Sequence, residues 1–363
     1  MPNREIIDKI LTGNYKLSIE EATHIYNNFS LPLLMYIANE LRQKYNPGNK
    51  VGWIIDMNVN ITNVCVVHCK FCNFCRTENK SDAYVLSIEE YSAKIEKLIS
   101  LGGNQLLLQG GLHPKLSLDF YVQLFKTLKK YHPNIKLHAL GPPEIVYLAE
   151  KEGISFKKTL KILIDAGLDS LPGAGAEILS DRVRKIISPA KANTENWLKV
   201  MEEAHKLNIT TSATMMFGHI ETIEERLQHL ILLRDLQNEK PEYSKGFSTF
   251  IPWPFASKNT RLIKEYPNLK PASSSEYLRM IAISRIILNN IQHIQASWLT
   301  VGHDIGALSL RAGADDLGSI MIEENVVSAA GVNYKISPEQ MQNIIKENGF
   351  IPVLRNQAYE YEE

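Results

Sequence analysis

A chain of 363 residues with 40 Lys and Arg against 40 Asp and Glu carries a formal net charge of +0, so it lacks the cationic surplus that binds nucleic acid or an anionic membrane surface. Its hydrophobic fraction of 44 % supports a large core, yet no apolar run reaches the roughly 18 to 20 residues that span a bilayer. The opening MPNREIIDKILTGNYKLS is charged and amphipathic and lacks the apolar centre of a secretory signal, so a cytoplasmic protein acting on a small molecule is expected.

In chain order, apolar residues first recur at helical spacing over residues 6–45, with SIEEA reading as a capped helix start. From Trp53 onward, β-rich runs alternate with amphipathic stretches. The runs cover residues 53–62, 104–111, 136–141, 168–177, 210–218, 246–254, 294–302 and 315–322. Eight strands separated by helices imply parallel pairing through crossovers, and eight is the number that closes a barrel. An open doubly wound sheet is the alternative, but no GxGxxG turn follows a predicted strand. The expected fold is therefore an α/β (β/α)8 barrel over residues 51–363, with an N-terminal helical extension at 1–50 and a C-terminal helical tail.

In such barrels the site lies at the C-terminal ends of the strands, and the unusual residues gather there. Cys65 to Cys72 follow the first predicted strand, Gln109-Gly110-Gly111 the second, Gly141 to Glu144 the third and Gly173 to Glu177 the fourth. Phe217 to Glu221 end the fifth and Pro252 to Phe255 the sixth.

All 4 cysteines lie between Cys65 and Cys75, in CVVHCKFCNFC, leaving none to pair with them across the fold. This argues against a disulfide framework. Thiolates are soft ligands suited to zinc or iron-sulfur clusters. Structural zinc usually takes two separated ligand pairs, and no second pair exists, although four clustered thiols or His68 leave that reading open.

The spacing C-x3-C-x2-C resembles the signature of the radical S-adenosylmethionine superfamily. The resemblance implies that Cys65, Cys69 and Cys72 hold a 4Fe-4S cluster with one iron left open. It further implies that S-adenosylmethionine binds that iron and yields a 5′-deoxyadenosyl radical on reduction by a donor such as flavodoxin or ferredoxin. Cys75 is assigned no ligand role. Phe71 stands where the family places a ring near the adenine. Gln109, Gly110 and Gly111 resemble its glycine-rich segment, where backbone can approach the methionine moiety. Glu177 and Arg182 offer an acceptor and a planar donor for the amino-acid end or ribose of the cofactor.

Longer strings narrow the resemblance: NVNITNVCVVHCKFCNF, LLLQGGLHPKL, LPGAGAEILSDRVRKIISPAK, TTSATMMFGHIET, GFSTFIPWPFASKNT and GADDLGSIMIEENVVSAAG. From Trp53 to Gly331 the chain resembles the cyclic dehypoxanthine futalosine synthases of the futalosine route to menaquinone, with aminofutalosine synthases and deazaflavin-forming synthases as the competing families. The implied reaction removes hydrogen from C4′ of the sugar of dehypoxanthine futalosine and adds the carbon radical to the aromatic ring. His138 and Glu221 are the candidate catalytic residues, His138 either contacting a sugar hydroxyl or serving as the base, and the segment Phe217 to Glu221 resembles the adenine-binding stretch of several relatives. Glu144, Trp253, Phe255 and Asp315, with Asp316 beside it, are candidate substrate contacts. Arg279, Arg285 and Lys191 remain open as partners for the substrate carboxylate. A metal-binding or electron-carrying protein without catalysis is the reading from another class.

Overall fold

The computed structural model describes residues 3–361 except 324, 326, 327, 332 and 333. Three helices open the chain, Asn3–Leu11, Ile19–Asn28 and Leu31–Tyr45. The expected capped start is present: Ser18 accepts from the Glu21 backbone N–H while the Glu21 carboxylate accepts from the Ser18 N–H. The third helix packs along Ser274–Ile287, and apolar residues from Ile6 to Phe350 form one continuous core.

Among the described residues ten strands follow: β1 Lys50–Ile54, β2 Asp56–Asn60, β3 Gln105–Gln109, β4 Lys136–Ala139, β5 Ser170–Leu171, β6 Thr210–Phe217, β7 Phe247–Pro254, β8 His293–Ile294, β9 Asp316–Ser319 and β10 Ile351–Leu354. All pairings between them are parallel. β2 through β8 pair in chain order, a bridge from Gln295 to Asp316 carries the sheet on to β9, and β9 pairs with β1. Because β1 and β2 are two halves of one extended run, that last pairing closes the ring. The result is an eight-stave β/α barrel, with β1 and β2 sharing a stave.

Three runs differ from the sequence expectation. Residues 168–177 give only the two-residue β5, because Pro172 and the glycines after it turn the chain away. Residues 294–302 supply the end of β8 and then a short helix, Trp298–Val301. The tail is not wholly helical either: after the helix Pro338–Glu347, β10 adds to the outer edge of β1. Pro352 interrupts the apolar pattern of that run, which an edge strand tolerates because one side of its ladder is unpaired.

Alternation along the staves gives the barrel a polar interior. On β2, Asp56, Asn58 and Asn60 pair in register with Gln105, Leu107 and Gln109 of β3, while Met57 and Val59 join the core. His138, Ser212 and Thr214 face inward likewise. Among the described residues, no helix is long and apolar enough to cross a membrane.

Candidate active site

A cavity of about 400 Å³ opens among the C-terminal ends of the staves and runs down into the barrel. Cys65, Cys69, Cys72 and Cys75 line it, with Phe71 between the second and third. Its wall continues through Gln109, Gly110 and Gly111 after β3, His138 on β4, Glu144 after it, Glu177 after β5 and Trp253 on β7. Sequence reasoning named all of these, and the fold brings them to one space.

The cysteine loop is held by the backbone: Cys65 N donates to Arg76 O at 3.0 Å and Cys72 N to Cys69 O at 3.1 Å. Gly111 has to be a glycine, since a Cβ there would stand 2.1 Å from the Val64 carbonyl oxygen. Burial pushes the Cys69 thiol up to about 12, so a ligating cation is what would make it a thiolate. Among the described residues no three donors converge as they would on a single metal ion. A four-iron cube holds its thiolates further apart than one ion does, and three thiols facing one cavity fit that larger group. Cys75 also lies 3.3 Å from His68 Nδ1, donates to Cys65 O at 3.4 Å and meets the Cys65 thiol.

Glu177 sits at φ +45, an uncommon backbone for a residue with a Cβ. Its carbonyl accepts from Met216 N at 2.9 Å, and buried Arg184 ties down Gly175 O and Ala176 O just before it. The turn aims the carboxylate at Lys191, whose Nζ donates to Glu177 Oε1 at 2.6 Å and lies 5.5 Å from the centre of the Phe71 ring. Burial works against the Lys191 charge, but the Glu177 carboxylate beside it keeps its pKa above the ordinary value. Of the three cations considered for a carboxylate, only Lys191 faces the cavity. Arg279 donates to Tyr26 O and Phe29 O, and Arg285 to Asp315 and Gly313 O.

Four expected residues lie elsewhere. Arg182 is exposed and bound to Glu225 and to Ile220 O, because the helix Asp181–Ile187 turns it outward. The Glu221 side chain is buried, accepting from the N–H groups of Gly218 and His219 and from Arg226 Nε at 2.7 Å. Burial opposes its charge, but His219 and Arg226 outweigh that and hold the carboxyl down at about 2; it braces the turn. Phe255 packs on His219 with ring centres 6.0 Å apart. Asp315 precedes β9 and so lies at the opposite end of the barrel from the cysteines, between Arg285 at 2.6 Å and His293 at 2.6 Å.

Two inward titratable groups contrast. His138 lies 2.7 Å from Ser170 Oγ, and burial pushes it down to about 3, so it is neutral. Glu144, in the first turn of Pro142–Glu152, is pushed up by burial to about 7.

Sequence reasoning missed the floor. Past β10 the chain carries Arg355 and Gln357 into the deep end of the cavity. Arg355 donates to Asp316 through Nε at 2.5 Å and Nη2 at 2.8 Å, and to Gln295 Oε1 at 3.4 Å. The Gln105 side chain bridges Asp56 Oδ2 at 3.4 Å and Gln357 Oε1 at 3.2 Å, and Ser319 Oγ donates to Asp56. A lone arginine after the short run IPVL gives no signal of facing inward, because only the pairing of β10 with β1 puts it there. Trp298, Leu299 and Met321 complete the apolar wall.

Comparison with known proteins places these features. Residues 59–233 match the family model of the radical SAM superfamily, and residues 244–363 match the CofH/MqnC C-terminal region. A cyclic dehypoxanthine futalosine synthase of Halalkalibacterium halodurans is 39 % identical over 98 % of this chain and 94 % of its own. A 5-amino-6-(D-ribitylamino)uracil–L-tyrosine 4-hydroxyphenyl transferase of Archaeoglobus fulgidus is 39 % identical over 89 % of this chain and 92 % of its own. In fold the chain is similar to the crystal structure of methylornithine synthase, with a TM-score of 0.73 at 18 % identity over 97 % and 98 % of the two chains.

Proposed function

The chain belongs to the radical S-adenosylmethionine superfamily, and on that premise we propose that it cyclises dehypoxanthine futalosine. The observation that carries this reading is the synthase relative, similar across 98 % of this chain, C-terminal floor included. The superfamily uses an iron-sulfur cluster and S-adenosylmethionine. Together, when bound, they supply a 5′-deoxyadenosyl radical that removes a hydrogen atom, on reduction by a donor such as flavodoxin or ferredoxin.

Cys65, Cys69 and Cys72 would hold the cluster as 4Fe-4S with one iron free of protein ligands. The backbone of Gln109, Gly110 and Gly111 would run beside the methionine moiety, and Phe71 beside the adenine. Lys191 and Glu177 present a cation and a carboxylate side by side, the complement of an amino-acid end. This gives Lys191 the role that the sequence suggested for Arg182.

The substrate would take the rest of the cavity. Trp253, Trp298 and Leu299 exclude water and enclose an aromatic group, which protects a carbon radical from stray hydrogen donors. After addition to the ring, one proton must pass to a base and one electron to an oxidant, and the cluster left oxidised by radical formation would serve as that oxidant. Glu144 fits the proton: a carboxyl at about 7 is matched to taking it near neutral pH. His138 at about 3 is a poor base and serves better as a neutral hydrogen-bonding wall.

The test is an anaerobic assay of cluster-loaded protein with S-adenosylmethionine, a strong reductant and dehypoxanthine futalosine. 5′-Deoxyadenosine together with a cyclised product two mass units or fewer below the substrate supports the proposal. The transferase relative at equal identity makes a second reading specific. Conversion of 5-amino-6-(D-ribitylamino)uracil with L-tyrosine, and not of dehypoxanthine futalosine, would favour that one.

A further inference from the structure

The floor of the cavity has a chemical character distinct from its walls. Asn58, 5 % exposed on β2, lines the cavity, and its Oδ1 has no hydrogen-bond partner among the described residues. A buried carbonyl oxygen left unpaired is costly and calls for a donor. Opposite in origin, Gln357 arrives on the C-terminal segment. Its Oε1 is taken by Gln105, and no described residue meets its Nε2, a donor. The floor therefore offers an open acceptor and an open donor from two separate elements. A hydroxyl satisfies both kinds of site, whereas a carboxylate only accepts.

Charge agrees. Arg355 is engaged by Asp316 through two hydrogen bonds, so its charge is already met. Burial raises the Asp56 carboxyl toward its neutral form, against the hydrogen bonds from Ser319 and Gln105, and His138 is neutral. An anion would find no uncompensated cation at this depth.

We propose that the floor seats an uncharged, hydroxyl-bearing group, held by Asn58 and Gln357. Resting on the function proposed above, that group is the sugar of dehypoxanthine futalosine, and its aryl carboxylate points away from the floor. Asn58 and Gln357 are substrate-positioning residues contributed by β2 and by the segment after β10.

The experiment is equilibrium binding without reductant, so that no turnover occurs. Cluster-loaded protein with S-adenosylmethionine is titrated with dehypoxanthine futalosine, read by quenching of tryptophan fluorescence. Gln357→Leu and Asn58→Leu are each expected to weaken binding by about tenfold, the loss of one hydrogen bond to a buried partner, with S-adenosylmethionine affinity unchanged. An analogue keeping the aryl carboxylate and ketone but carrying a plain alkyl chain in place of the sugar is expected to bind wild type and both variants alike. Unchanged affinity for the substrate in both variants, or an equal loss with the analogue, overturns the assignment. Should wild type bind S-adenosylmethionine but not dehypoxanthine futalosine, the proposed function fails instead. The same variants are then titrated with 5-amino-6-(D-ribitylamino)uracil, whose ribityl hydroxyls put the same question to the floor: the same tenfold losses uphold the assignment, and their absence overturns it.

Discussion

Lys191 and Glu177 meet at 2.6 Å in the cavity wall, with side chains only 16 % and 4 % exposed. Two opposite charges this dry are held because each neutralises the other, and the strained backbone at Glu177 shows that the fold gives up local comfort to keep them there. Lys191→Gln removes the cation and leaves the carboxylate buried. It is expected to cut S-adenosylmethionine affinity by roughly tenfold or more, by equilibrium binding to cluster-loaded protein. Arg182→Gln, at an exposed ion pair with Glu225, should stay within about twofold. Reversal of these two results would return the cofactor role to Arg182.

The thiols divide by their place in the motif: Cys65, Cys69 and Cys72 carry the C-x3-C-x2-C spacing, and Cys75 lies beyond it although its thiol meets that of Cys65. Cys65→Ala, Cys69→Ala and Cys72→Ala are each expected to abolish cluster retention, measured as iron per chain and visible absorbance after anaerobic reconstitution, and with it 5′-deoxyadenosine formation. Cys75→Ala should keep both within about twofold, since Cys75 is engaged with His68 and the Cys65 carbonyl and one loose sulfur contact is worth little. Loss of iron from Cys75→Ala alone would identify Cys75 as a ligand.

Local patterns made the upper half of the site legible. The cysteine spacing, the Gly110-Gly111 pair and the alternation of strand and helix each concern neighbours in sequence, and each reappears in the structure at the stave ends. What sequence could not disclose depends on contacts between distant segments. Arg355 reaches the cavity through the pairing of β10 with β1, some 300 residues away in the chain. Asp315 reads equally as a substrate contact or as the start of the eighth strand, and the strand begins just after it, with its charge answering Arg285 and His293 beneath the barrel. Glu221 follows a strand as expected, but two backbone N–H groups and Arg226 claim it first. A carboxylate in a turn reads the same from sequence whether it serves a ligand or its own backbone.

Glu144 should make stability depend on pH. Its native carboxyl lies at about 7 against 4.5 when unfolded, because burial disfavours the charge. Between these values the native state holds a proton that the unfolded state has released, so stability falls as pH rises from about 4.5 to about 7 and levels off above. The full effect is about 3 kcal/mol at most. Glu144→Gln cannot ionise and is expected to flatten this part of the profile, in denaturant melts from pH 5 to 8. In the activity assay the same substitution should remove a rising limb centred near pH 7 and lower product per 5′-deoxyadenosine formed, since hydrogen abstraction proceeds while the last proton is lost slowly. An unaltered pH profile and an unaltered product ratio would exclude Glu144 as the base.

Arg355 and Asp316 hold the C-terminal segment under the barrel. Both are buried, at 3 % and 0 % exposure, and Arg355 also lies 4.0 Å from the centre of the Tyr359 ring, which stacks on His293 at 3.9 Å. Removing one partner of such a pair strands the other without water, at a cost of about 3–5 kcal/mol. Arg355→Met is therefore expected to lower the denaturation midpoint markedly, while Arg355→Met with Asp316→Leu recovers much of the loss, because no charge is then left buried. The two variants also separate structure from binding. If the pair only anchors the segment, the double variant regains substrate affinity as it regains stability. If the guanidinium touches the substrate as well, affinity for dehypoxanthine futalosine stays low in a protein that folds well, and Arg355 joins Asn58 and Gln357 as a positioning residue of the floor.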